Sequence, residues 1–142
     1  IGADFELVPG GGLVVFRLTT VTHAPTLLRS PIDASTPPLV LEDQREVADF
    51  VVSPDGSAVA YRARGGTEPF ALFVVPMTGG PARRASTDLV AGGSLYVGDL
   101  EQPRGYAFSS DGRRLLYLAD QEQDGIRELF FTQLARPLWR TR

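Results

Sequence analysis

The run Asp49-Phe-Val-Val-Ser-Pro-Asp-Gly-Ser-Ala-Val-Ala-Tyr-Arg-Ala-Arg64 constrains this chain most, because much of it occurs again elsewhere. Pro54 fixes φ at one turn position and Gly56 tolerates φ > 0, so Ser53-Pro-Asp-Gly56 reads as a tight hairpin turn. Asp55 suits the turn because its carboxylate can bond the backbone two residues on. Short β-branched and aromatic runs flank it, Phe50 to Val52 and Ala58 to Tyr61, and these read as strands.

The unit repeats. Ala3-Asp4-Phe5 returns as Ala48-Asp49-Phe50, a shift of 45 residues. At that shift Pro9 meets Pro54, Gly11 meets Gly56, Phe16 meets Tyr61, Arg17 meets Arg62, Leu27 meets Leu72 and Pro31 meets Pro76. A third copy lies 56 residues further on: Tyr106-Ala-Phe-Ser-Ser-Asp-Gly112 overlies Phe50-Val-Val-Ser-Pro-Asp-Gly56, with Asp111 and Gly112 in the turn. Leu115-Leu-Tyr117 overlies Val59-Ala-Tyr61, and Glu128-Leu-Phe-Phe131 overlies Ala71-Leu-Phe-Val74 one residue later. Periods near 40–45 residues mark propeller blades.

Each copy reads as four strands. In the second they are predicted at Asp49–Ser53, Ala58–Arg64, Ala71–Met77 and Ala82–Ser86; in the third the last falls on Pro137–Arg142. Runs such as Leu72-Phe-Val-Val75 are apolar on consecutive residues, so both faces of the sheet are expected to be covered. Helical spacing is weak throughout. The expected organisation is one all-β propeller segment over residues 1–142, with blades at about 1–45, 46–88 and 105–142. A connection spans 87–104, in which Gly92-Gly93 is placed to turn a small extra hairpin. Such a loop on a rigid scaffold often carries binding.

Ser53-Pro-Asp-Gly-Ser-Ala-Val-Ala-Tyr61 and Ser110-Asp-Gly-Arg-Arg-Leu-Leu-Tyr117 resemble the WD40-like (PD40) repeat of TolB-type β-propellers, as do the tails Phe73–Arg84 and Ala119–Phe130. The resemblance covers nearly the whole chain, except that the first copy has Val8-Pro-Gly-Gly-Gly12 in place of the turn motif. It implies a propeller of four-stranded antiparallel blades. It implies as function a non-catalytic, extracytoplasmic scaffold for protein–protein interaction. The same repeats form the propeller of prolyl-oligopeptidase-like serine peptidases, which is the first alternative; a sugar-acting propeller enzyme is the second. Three blades do not close a ring of four to eight. An open stack bares one apolar face at each end, so the chain is expected to self-associate or to belong to a longer propeller. Two three-bladed units make six blades, a number the family favours.

Individual residues narrow the chemistry. Asp4 and Asp49 open the first strands of their copies and are candidates for a ligand-facing ring. Asp120, Glu122 and Asp124, followed by Gly125, resemble the start of a calcium loop, but Phe131 stands where the bidentate Glu belongs. No metal is otherwise expected. His23 is the only histidine and has no cysteine or second histidine to share a metal. Gly92-Gly-Ser-Leu-Tyr96 lacks the closing glycine of a hydrolase elbow, so no triad is expected in the chain. Arg17, Arg62, Arg64, Arg83 and Arg84 read as charges protecting sheet edges, as do Arg136, Arg140 and Arg142. Trp139 reads as blade packing.

A net charge of -3 argues against nucleic acid as a partner. The absence of cysteine excludes disulfide and thiol chemistry. No apolar run reaches the length of a membrane helix, so membrane insertion is not expected. The chain begins with Ile1 rather than Met, so a processed or excised protein is expected, and a secretion signal could have been lost.

Overall fold

The computed structural model describes residues 4–96 and 104–134. Those residues form three antiparallel sheets and no helix. By contact the chain divides into two compact units, residues 1–88 and 89–142.

The first unit holds two four-stranded sheets. The first sheet runs in order β1 (Phe5–Leu7), β2 (Leu13–Leu18), β3 (Thr26–Pro31) and β4 (Leu39–Glu42). The second follows the same plan with β5 (Glu46–Val52), β6 (Ala58–Arg64), β7 (Ala71–Pro76) and β8 (Arg83–Arg84). The registers match at the 45-residue shift: Phe5 pairs with Phe16 as Phe50 pairs with Tyr61. The pairing of Leu28 with Phe16 repeats in that of Phe73 with Tyr61.

The second unit carries a third sheet of the same plan, β9 (Tyr106–Phe108), β10 (Arg114–Ala119) and β11 (Glu128–Gln133). Tyr106 pairs with Tyr117, and Tyr117 with Phe130, as the repeat requires. This sheet has three strands among the described residues. The fourth predicted strand, Pro137–Arg142, lies outside them, as do Trp139, Arg136, Arg140 and Arg142.

Alternation along a strand sends successive side chains to opposite faces. In the first unit the face of the first sheet carrying Val15 and Leu27 joins the face of the second carrying Val59, Tyr61 and Phe73 in one buried core. Val15, Leu27, Val59 and Tyr61 have no exposure at all. Each such side chain contributes about 1.5–3 kcal/mol by leaving water.

Polar clasps then set the two sheets in register. The Glu6 carboxylate accepts from the Val52 N–H at 3.1 Å. Arg17 donates to the Ala48 carbonyl at 2.6 Å, and Arg29 donates to the Met77 carbonyl. Tyr61 donates to the buried Glu42 carboxylate at 2.8 Å, while Arg45 holds the same oxygen and lies 4.2 Å over the Phe73 ring.

Two expectations need correction. Arg17, Arg62 and Arg64 do not protect edges: β2 and β6 are inner strands of their sheets, and all three arginines are ion-paired. Among the described residues, the exposed Arg83 and Arg84, on β8, do lie on an edge strand. The connection between the second and third copies also forms no hairpin of its own over its described residues 89–96. Its chain does turn at Ala91–Gly92, with the Gly93 N–H bonded to Val90, but its flanks bond to β10 and its extension instead of to each other.

Candidate functional site

Antiparallel order sorts the turns of each sheet between its two ends. The first-to-second turns, including the Asp-Gly pairs, stand at one end. The entry to the first strand and the second-to-third hairpin stand together at the other.

At the first end the aspartates serve the turn. Asp55 Oδ1 accepts from the Ser57 N–H, the Ser57 hydroxyl and the Ser53 hydroxyl. Burial pushes its pKa up, but these bonds outweigh burial and hold it below the ordinary carboxylate value. Asp111 repeats the arrangement. The Ser109 hydroxyl and the Arg113 N–H lower its pKa, chiefly through the serine. Gly56 and Gly112 take φ of 74° and 71°, which the turn demands and other residues resist.

The candidates for a ligand-facing ring are both ion-paired. Asp4 meets Arg17 at 2.8 Å and Asp49 meets Arg62 at 2.7 Å. The side chain of Asp4 is largely exposed and that of Asp49 largely covered. The equivalent positions in the third sheet are Gly105 and Leu118, joined only by a backbone bond from the Leu118 N–H. No ring of carboxylates therefore continues into the third copy.

In the second unit, two stretches that sequence reasoning treated separately come together. The connection lies against the β10–β11 hairpin. The Val90 N–H bonds Gln121, the Tyr96 N–H bonds Leu118, and the Asp120 N–H bonds Ser94, while Leu95 bridges Ala119. One Asp120 oxygen accepts from the Ser94 N–H and the other from the Gly125 N–H at 3.1 Å. These two bonds, Ser94 first, hold its pKa below the ordinary value. Gly105 permits the crossing: a Cβ there would stand 2.1 Å from the Tyr96 carbonyl oxygen.

The result is a cleft of about 410 Å³ lined by Ser94, Leu95, Tyr96, Asp120, Gly125 and Arg127. The Arg127 guanidinium lies 3.9 Å from the centre of the Tyr96 ring. An exposed cation stacked on an aromatic face suits a polar or acidic side chain of another protein. Neither Tyr96 nor Arg127 stood out in the sequence. The one available signal was topological, since a long entry loop and a second-to-third hairpin must share an end.

The calcium-loop residues form no cage. Asp120 is committed to backbone amides, and the Asp124 carboxylate lies beside Gly92. Glu122 is exposed, and no three carboxylate or imidazole side chains gather among the described residues. His23 bonds Thr22 and Thr20 within its own loop.

Solved structures of similar fold exist. TolB from Acinetobacter baumannii superposes with a TM-score of 0.61 at 15% identity, over 92% of this chain and 29% of its own. An oligogalacturonate lyase in complex with manganese gives 0.63 at 17%, over 96% of this chain and 36% of its own. A Mycobacterium tuberculosis puromycin-hydrolyzing peptidase gives 0.60 at 16%, over 95% of this chain and 22% of its own. The chain thus spans less than half the length of each. No protein-family model and no curated protein sequence matches it. The chain is a segment of a β-propeller. Its fold is that of the TolB-like propellers.

Proposed function

We propose that the chain serves as a non-catalytic, TolB-like binding scaffold outside the cytoplasm, presenting the Tyr96–Arg127 cleft to another protein. The observation that carries this reading is the cleft itself. The described part of the connection after β8 is fastened to the β10–β11 hairpin, and that fastening holds an aromatic–cation pair open to solvent. Its carboxylate, Asp120, supports the loop by accepting from the Ser94 and Gly125 amides. The extracytoplasmic placement rests on the likeness to TolB.

A photo-crosslinking side chain at position 127, set against one at Ser110 in the opposite turn, tests the reading in extracts of the source cells. One protein crosslinked from 127 and not from 110, and lost in Tyr96→Ala, is the expected result. Equal labelling from both positions overturns it, as does turnover of a peptide or glycan by the purified chain.

The likeness to a peptidase and a lyase favours a second reading, in which the chain is the propeller part of a larger enzyme. A parent sequence continuing into a hydrolase domain with a Gly-x-Ser-x-Gly elbow would decide for it.

A further inference from the structure

Five arginines lie over aromatic rings among the described residues. Four of them also donate to a side-chain oxygen. Arg45, over Phe73, holds Glu42. Arg62 and Arg64, both over Phe70, hold Asp49 and Glu46. Arg114, over Phe131, donates to the Gln133 side-chain oxygen. Stacking covers one face of a guanidinium and leaves its N–H fork open at the edge, where a carboxylate fits. Arg127 is the fifth. At 3.9 Å from the centre of the Tyr96 ring it stacks most closely of all, yet it has no acceptor among the described residues.

The stacked pair is held by the sheet. Leu95 bridges Ala119 where the second copy pairs Val47 with Ala63, so residues 94–96 occupy first-strand positions of the third copy. The Tyr96 N–H bonds Leu118 on that side of β10, and Arg127 immediately precedes β11 on the other. A guanidinium placed in this way is preorganised, which lowers the ordering cost of whatever it binds. The charge beside it limits what that can be. Asp120 also lines the cleft, its oxygens accepting from the Ser94 and Gly125 amides. One guanidinium beside one carboxylate suits a monoanion. A phosphate group, with a charge of about -1.5 to -2, would set an unmatched charge against Asp120.

We infer that the cleft receives a single glutamate or aspartate side chain of the other protein, seated on the open edge of the Arg127 guanidinium. It would complete there the arrangement that Asp49 makes on the Nε and Nη2 atoms of Arg62. A side chain rather than a chain terminus is the donor, because the three carboxylates that meet stacked arginines in this chain are side chains of strand residues. The inference rests on the reading of the cleft as a protein-binding site and adds the chemistry of what enters it.

Tripeptides acetylated and amidated at their ends test this on the whole 142-residue chain. Ala-Glu-Ala, Ala-Gln-Ala and the phosphoserine form are each titrated to about 20 mM, which reveals millimolar affinity. Acetyl-Ala-Ala-Ala with a free terminus is the fourth arm. The Arg127 Nε–H and Tyr96 ring resonances report binding. The glutamate peptide should shift both to saturation, and the glutamine, phosphoserine and free-terminus peptides should bind about tenfold more weakly. Read at the Tyr96 ring, Arg127→Gln should abolish the preference for glutamate over glutamine. Arg127→Lys should keep part of it, and Arg113→Gln, in the opposite turn, all of it. No shift with the glutamate peptide, equal binding of glutamine, tighter binding of phosphoserine or of the free terminus, or a preference that survives Arg127→Gln overturns the inference. A photo-crosslinking side chain at Ser94, which leaves Arg127 in place, reads the protein partner separately. Failure to capture a protein there counts against the protein-binding reading, and loss of the glutamate preference counts against the carboxylate.

Discussion

Arg17 donates to the main-chain oxygen of Ala48, 31 residues away, at 2.6 Å, and the same guanidinium holds Asp4 at 2.8 Å. The first bond crosses from one sheet to the next and is partly buried. The second is an ion pair with a largely exposed partner. Their costs should therefore differ. Arg17→Ala should lose about 1–2 kcal/mol, because a carbonyl between the sheets loses its donor. Asp4→Ala should lose less than about 0.5 kcal/mol, as exposed pairs do. Thermal or urea melts of the two variants check the difference, which vanishes if the ion pair is the stabilising contact, because Arg17→Ala removes both contacts.

Tyr61 is fully buried and donates to Glu42, which is 5% exposed. Burial first, and then the bond to Glu42, push its hydroxyl well above the ordinary tyrosine value. The folded state thus keeps the proton where the unfolded chain would lose it. The resulting stability is full below about pH 10 and declines as pH rises beyond it. In an ultraviolet titration one of the four tyrosines should ionise only with unfolding. Tyr61→Phe should cost about 1.5–3 kcal/mol, the worth of a bond to a charged group, and should remove that delayed step.

Asp55 and Asp111 both have lowered pKa values in the folded chain. Their contribution is present above the ordinary carboxylate range and is lost as pH falls through their folded values. Melting temperatures measured from pH 7 down to about 2.5 should fall steeply in the acid limb. Asp55→Asn with Asp111→Asn should lower the pH 7 value and flatten that limb. An unchanged limb contradicts the turn assignment.

Gly105 is a contact that admits no side chain, since a Cβ would overlap the Tyr96 backbone. Gly105→Ala should detach the connection and open the cleft while leaving the first unit folded. The readout is Tyr96 Hδ and Hε resonances, which the overlying Arg127 shifts in the native chain. Loss of that shift with retained Tyr61–Phe73 stacking signals is expected. Collapse of the first unit as well would contradict it.

The Ser-Pro-Asp-Gly turn was legible because proline, aspartate and glycine act on their own backbone. Strand positions in the second copy were legible to within a few residues, because apolar runs and turn residues bracket them. Partners across sheets were not legible. Asp4 and Asp49 looked available for a ligand because their arginines lie 13 residues on, beyond the reach of a local pattern. The recurrence of the same spacing in both copies was the missed signal. Arg17 and Arg62 suggested edges because sequence gives strand order only through the repeat. The cleft escaped because it joins a loop and a hairpin whose shared end follows from topology, while the stacking of Arg127 on Tyr96 has no sequence mark.

The central claim is that one sheet module occurs three times in matched register, with its second strand paired on both sides each time. Amide hydrogen exchange measured residue by residue tests this most directly. Slow exchange should cover β2 (Leu13–Leu18), β6 (Ala58–Arg64) and β10 (Arg114–Ala119), with exposed edge strands such as β8 exchanging faster. Protection confined to one of the three strands, or spread over residues 19–25 and 65–70 between them, would contradict it.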